Sequence, residues 1–319
     1  VGISFPLTLL ACLPLVPETP RWLFEHHRDH DAVEVLKRMH KNPHDPKHLY
    51  ALDEAAQIRG QAEMDRSLDG SWGAIFAKRS YRWRALLIIL VATAGQCTGI
   101  QAVTNFGPSL YAAMGYDSED QLLLAAGWIT VAAFEPYVMM LIMDRVGRKP
   151  LLVGASAISV VTLGILAALT KYYGTSDNQS GKQAAVAFLY LFIVGYLLCE
   201  APGYVYMGEV FPTHLRSKGA AIGIMTINLN ATWITYATPT GIAKLGWKYY
   251  MVFMTISGVC AIVMQFTIPE TKQVPLEEIA LIFGDTDEVG TRKEESSNLP
   301  VQGNVSPAGG VLVGDEKIT

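Results

Sequence analysis

The chain has 319 residues, half of them hydrophobic and only 17% charged, with a net charge of −4 and a mean hydropathy of +0.25. That balance is too apolar and too charge-poor for an ordinary soluble domain, and the slight acidity argues against a nucleic-acid partner. Cys12, Cys97, Cys199 and Cys260 all fall inside apolar runs, so they read as small buried hydrophobes rather than a disulfide framework or a metal site.

Residues 1–16 are apolar but short for a span and have no basic region before them. A signal peptide is a poor reading, and the stretch is expected to be the end of a transmembrane helix whose beginning is missing. Residues 17–80 form a polar insert of helical character. Ala32, Val33, Val35, Leu36 and Met39 repeat at helical spacing, as do Leu49, Leu52, Ala56 and Ile58 more weakly, with Pro43 and Pro46 between them. Six of the seven histidines lie between His26 and His48. His40, His44 and His48 are spaced by four, but the prolines break the helix that would align them as metal ligands, so neither metal nor cofactor is expected.

A spanning helix needs roughly 20 apolar residues. Residues 81–269 hold six such stretches, at about 85–113, 121–143, 151–170, 184–207, 219–243 and 248–268, giving an all-α membrane protein. Ala85 to Tyr116 carries no charge and as one straight helix would run roughly 48 Å, against about 30 Å of hydrocarbon. Gly95, Gly99, Gly107 and Pro108 interrupt it. Either the helix is discontinuous near a binding site, as in many transporters, or it is tilted and runs on into a loop. Arg79, Arg82 and Arg84, then Arg145, Arg148 and Lys149, then Arg216 and Lys218 occupy alternate loops, which the positive-inside rule places in the cytosol. The insert and the C-terminus follow them there. Asn178-Gln179-Ser180 is a sequon on the opposite side; Asn230-Ala231-Thr232 is another, but inside a span. Residues 270–319 are expected to be a cytosolic tail, largely disordered, because 285–319 is rich in Gly, Ser, Asn and acid.

Two carboxylates stand inside predicted spans, Glu135 and Glu200. A charge at the bilayer centre costs at least about 2.5 kcal/mol on insertion scales, so each should face a cavity or a partner. Polyol hydrogen bonding, pairing with a cation and proton carriage are the functional options. A protonated acid, or one paired with a residue outside this chain, is the plain one. Asn228, Asn230, Thr232 and Trp233 share one span. They suit a sugar path, since Trp offers a ring face and an N–H donor, and suit helix packing equally well.

Four motifs occur in order: Pro17-Glu18-Thr19-Pro20-Arg21-Trp22-Leu23, Asp144-Arg145-Val146-Gly147-Arg148-Lys149, Glu209-Val210-Phe211-Pro212 with Arg216, and Pro269-Glu270-Thr271-Lys272 followed by Leu276-Glu277-Glu278-Ile279. With them the chain resembles the sugar-porter branch of the major facilitator superfamily over about residues 1–284, and Phe106-Gly107-Pro108-Ser109-Leu110-Tyr111 looks most like fungal members. The resemblance implies the C-terminal six-transmembrane-helix bundle of a twelve-helix fold, the end of a preceding helix and a cytosolic helical insert. It implies a plasma-membrane carrier working by alternating access on a monosaccharide or polyol, with or without a coupled proton, and with a six-helix N-terminal half as partner in the lipid bilayer. A non-transporting sugar sensor and a carrier of a sugar acid such as quinate are the alternatives; the tail is short for a sensor, and no nucleophile–base constellation speaks for an enzyme.

By the same resemblance Glu18, Arg21, Asp144, Arg145, Arg148, Glu209 and Arg216 are gate charges, ion pairs made in one state and broken in the other. Plain topology needs the basic residues but not the acids. Both Arg148 and Glu209 are expected at helix ends where water solvates a lone partner. Gln96 matches a sugar-lining glutamine, apt because an amide donates and accepts at once; its usual glutamine neighbour is here Gly95. Gln101 stands where the family usually has Asn, and Asn105 with Phe106 where it has two aromatics. Tyr204 follows Glu200 where Trp is more common. Gln96, Gln101, Asn105, Glu200, Tyr204, Asn228, Asn230 and Trp233 are the candidate substrate residues, with interhelical hydrogen bonding the alternative for each amide.

Overall fold

The computed structural model describes residues 4–13, 16–41, 45, 48–113, 115–174, 176, 178–272, 274, 279 and 282–285. Among them the regular structure is entirely helical. After α1 (Ser4–Cys12) the insert folds as α2 (Pro20–Glu25), α3 (Asp29–Met39) and α4 (Leu49–Ser67). These three pack around Leu23, Phe24, Ala32, Leu36, Ala51, Ala55 and Ile58, so the apolar spacing of the insert makes its own small core. His40 pairs with Glu54 across α3 and α4; His44 lies outside the described residues. The short α5 (Trp72–Ala77) starts at Ser71, whose hydroxyl accepts from the Ala74 N–H. Asp69 accepts in turn from the Ser71 N–H and hydroxyl, bonds that hold its carboxyl below the usual range.

The bundle comprises α6 (Arg79–Gln96), α7 (Ile100–Ala113), α8 (Ser118–Val146), α9 (Arg148–Tyr173), α10 (Gln179–Glu209), α11 (Thr213–Leu245) and α12 (Lys248–Thr267). α9 packs mainly against α10 and α12, and α6 against α11. Among the described residues, five segments are long and apolar enough to cross a membrane: 79–112, taking α6 and α7 together, then α8, α9, α10 and α12. The chain is thus an integral, multi-pass α-helical membrane protein. α11 is 33 residues long but is not one of the five, because Thr226, Asn228, Asn230, Thr232 and Thr235 dilute its apolar residues.

The long uncharged stretch is indeed interrupted, but only once. α6 ends at Gln96 and α7 restarts at Ile100, with Gly99 at φ +89° between them. That backbone region is open to glycine at little cost. Gly95, Gly107 and Pro108 sit inside helices instead. α10 likewise runs unbroken through Pro202, so Glu200 lies on a continuous helix.

The apolar area is unevenly covered. In the most apolar window of α6–α7, 67% of the residues are buried; in that of α8, 6% are. Leu122, Ile129, Phe134, Tyr137 and Met140 on α8 are exposed, as are Ile224, Met225, Leu229, Trp233 and Tyr236 on α11. Residues 274–319 form a separate compact unit, in which Gly284 takes φ +79°; its other residues lie largely outside the described set, and with them most of the expected tail.

Candidate functional site

At one end of the bundle the ends of four helices meet on Arg148. α8 stops and α9 starts at the same residue, Gly147, held at φ +107°. The turn sets Asp144 and Arg148 four residues apart, so Arg148 Nη1 reaches Asp144 Oδ1 at 3.1 Å. Its Nη2 reaches Oε1 of Glu209, the last residue of α10, at 3.0 Å. Glu209 Oε2 accepts from the Thr271 hydroxyl beyond α12, also at 3.0 Å.

Glu270 completes the junction. Its carboxylate accepts from the backbone N–H of Arg148 at 3.0 Å and of Lys149 at 3.1 Å. It also accepts from those of Thr271 and Lys272, at 3.0 and 2.9 Å. A helix N-terminus leaves its first N–H groups unpaired and carries partial positive charge, so a carboxylate is favoured there. The next residue, Pro150, has no N–H to satisfy. A Cβ on Gly147 would stand 2.7 Å from Glu270 Oε2; glycine is required both for its φ and for this approach. The Lys272 ammonium donates to the Arg145 carbonyl at 2.5 Å. In the sequence Glu270 and Thr271 stand only as part of the fourth motif; the hint of this junction is Gly147, which as the N-cap of α9 has no side chain to offer.

Of the other proposed gate charges, Glu18 and Arg21 are exposed and pair with no member of this network among the described residues. Arg145 is exposed and joins only through its carbonyl. Arg216 is half-buried in the first turn of α11. Burial within the network is graded: the Arg148 side chain is 10% exposed, that of Glu209 23% and that of Asp144 72%. The Arg148–Glu209 pair is therefore less solvated than its place at a helix end suggests.

The candidate substrate residues fall into two groups. Gln96 is buried, and its Oε1 accepts from Gln101 Nε2 at 3.0 Å. The pair bridges the Gly99 break. Asn230 is fully engaged: its Nδ2 donates to the Thr93 hydroxyl at 3.3 Å and the Thr226 carbonyl at 2.9 Å. Its Oδ1 accepts from Trp233 Nε1 at 3.1 Å. Asn105 Nδ2 donates to the Thr235 hydroxyl at 2.9 Å, tying α7 to α11. Asn228 donates back to the Ile224 carbonyl at 2.8 Å. Asn105, Asn228 and the Trp233 ring remain exposed, as does Tyr236 one turn on, which sequence reading passed over.

The second group lies on α8 and α10. Glu135 and Glu200 are half-buried and within electrostatic range of each other. Glu135 Oε1 is buried without a hydrogen-bond partner. Tyr204 is exposed and lies one turn beyond Glu200. Tyr196 lies between the groups, in electrostatic range of both Glu200 and Gln96. The arrangement offers amides on α6, α7 and α11 and the exposed rings of Tyr204 on α10 and of Trp233 and Tyr236 on α11. Among the described residues, no group of three His, Cys, Asp or Glu could hold a metal ion.

A profile of the family described as "Sugar (and other) transporter" matches residues 1–283. "Probable polyol transporter 3" of Arabidopsis thaliana is 28% identical over 97% of this chain and 64% of its own. The "Arabinose-proton symporter" of Bacillus subtilis is 30% identical over 88% of this chain and 57% of its own. Among solved structures, that of the major facilitator proton:xylose symporter XylE bound to 6-bromo-6-deoxy-D-glucose superposes with a TM-score of 0.70 at 20% identity, covering 87% of this chain and 56% of that one. The chain spans little more than half the length of these relatives. A match running almost end to end, on a bundle of the same fold, makes this chain a member of the sugar (and other) transporter family.

Proposed function

We propose that the chain is the C-terminal half of a secondary carrier that moves a monosaccharide or polyol across the plasma membrane by alternating access. The observation that carries this reading is the Arg148 network. It joins the ends of α8, α9 and α10 and the segment after α12 through two ion pairs and a set of hydrogen bonds at one end of the bundle, polar contacts that water can replace when the helix ends move apart. In the proposal α11 is the sixth span, its polar face turned to an aqueous cavity, and the exposed apolar sides of α8 and α11 meet a six-helix N-terminal half. The network end, the insert and the C-terminus face the cytosol, following the basic loops. Gln96, Gln101, Asn105, Asn228, Trp233, Glu200 and Tyr204 line the substrate path, with Asn230 holding Trp233. The polyol and arabinose-proton relatives support a hydroxyl-rich substrate and a coupled proton, for which Glu135 and Glu200 are candidate carriers in this half.

Uptake of radiolabelled hexoses, pentoses and polyols in a yeast lacking its hexose carriers tests the proposal. The complete reading frame should support saturable uptake, and residues 1–319 expressed alone should not. Uptake by the 319-residue chain alone removes the half-carrier reading. Sugar binding without uptake by the complete carrier would favour the sensor, and uptake of quinate alone the sugar-acid reading.

A further inference from the structure

One buried side chain beside the Arg148 network takes no part in it. On α10, Gly195, Cys199, Pro202, Tyr206 and Glu209 recur at intervals of four, three, four and three, so they share one face of the helix. That face is turned to α9. A Cβ on Gly195 would stand 2.6 Å from Ile158 Cγ2, and Glu209 reaches Arg148, the first residue of α9, at 3.0 Å. Tyr206 therefore lies in the seam between the two helices, one turn inward of the ion pair.

Tyr206 is fully buried, and its hydroxyl has no hydrogen-bond partner. Acceptors are not far away, since Glu270 and Glu209 are both in electrostatic range. Both are engaged elsewhere. Glu209 accepts from Arg148 on one oxygen and from the Thr271 hydroxyl on the other. Glu270 accepts from the backbone N–H groups of Arg148, Lys149, Thr271 and Lys272. A buried hydroxyl left without a partner is unfavourable, and such groups are few in native proteins. Phenylalanine would fill the same seam without that cost, so the hydroxyl calls for a second arrangement in which it is paired.

We propose that Tyr206 is a positioning residue of the transport cycle: when the ends of α9 and α10 part, its hydroxyl donates to the Glu209 carboxylate that Arg148 has left. This role rests on the Arg148 network acting as a gate. Residues three apart on a helix are neighbours on its surface, and helical side chains lean toward the N-terminus, so a released Glu209 swings back over Tyr206. Arg148 keeps the exposed Asp144 as its partner. Glu270 is not freed in the same way, because the Thr271 and Lys272 N–H groups lie on its own segment and move with it. Tyr206 thus opposes the network twice, by an unpaired hydroxyl while the network is made and by a bonded one once it is broken.

The test is Tyr206→Phe in the complete carrier, which removes one oxygen and no hydrogen bond seen in this structure. It should leave the melting temperature unchanged or raise it, and shift the facing equilibrium toward the state with the network made. The labelling rate of a cysteine placed in the vestibule beside the network should fall about tenfold, and uptake should fall with it. In a Glu209→Ala background the same substitution should barely change labelling; if that background does not fold, the single variant still decides. Unchanged labelling in Tyr206→Phe overturns the role of Tyr206. Arg148→Ala measured alongside then tells whether the gate itself stands, by altered labelling, or falls with it. An equal effect of Tyr206→Phe with and without Glu209 also overturns the assignment.

Discussion

Arg148, Glu209 and Asp144 belong to one network but not to one energetic class. Asp144 is 72% exposed, so its pair should contribute no more than an ordinary surface ion pair, about 0–1 kcal/mol. Replacing Glu209 leaves a guanidinium that is only 10% exposed with Asp144 as its one remaining carboxylate and deprives the Thr271 hydroxyl of its charged acceptor. A fully buried pair broken this way costs about 3–5 kcal/mol; with Glu209 partly solvated, about 1–3 kcal/mol is expected. Thermal unfolding in detergent should therefore rank Glu209→Gln well below Asp144→Asn. Equal stabilities would mean that water reaches Arg148 freely. At the other site Gln96→Ala should lower both stability and substrate affinity, because it empties a buried position and leaves Gln101 without its acceptor. Gln101→Ala loses one half-buried partner and should act mainly on affinity, by about 1 kcal/mol. Comparing KM with the melting temperature for the two variants separates substrate lining from packing.

At the scale of elements, two of the positive-φ glycines, Gly147 and Gly99, set where helices of the bundle stop. Gly147→Ala would put a side chain at φ +107° and 2.7 Å from the Glu270 carboxylate. Strain of this kind costs of order 1–3 kcal/mol, and here it also displaces the cap of α9. Glu270→Gln keeps the shape but replaces one oxygen with a donor facing N–H groups, so a loss of about 1–3 kcal/mol is expected. If the two residues act as one unit, the double variant should lose clearly less than the sum; full additivity in chemical denaturation would separate the turn from its cap. Gly99→Ala should be destabilising for a related reason, since a Cβ there stands 2.7 Å from the Phe253 ring at φ +89°.

For the whole molecule, the proposed carrier must keep its two facing states nearly balanced to cycle. A bias of about 1.4 kcal/mol shifts their ratio tenfold, so a modest change in the Arg148 network should have a large effect on transport. Arg148→Ala should reduce uptake far more than its melting temperature implies. It should also change the labelling rate of a cysteine placed in the vestibule beside the network. Normal uptake and normal labelling would leave these charges as topology signals only.

Composition and the spacing of apolar runs determined the helical, multi-pass character and the small core of the insert, because burial in lipid or protein demands long apolar helices whatever their partners. The four motifs carried the family. Tertiary structure alone decided the rest. Which of four candidate breakers interrupts the first span depended on where a positive φ was needed, and that was Gly99 rather than Pro108. Glu270 had no periodicity to announce it, since a cap is defined by a distant helix end and not by its own neighbours. Asn230 and Trp233 gave no sign in sequence that they satisfy each other. The burial of Arg148 was equally hidden, because the ends of α10 and α12 that enclose it are far away in the chain and close only in the folded bundle.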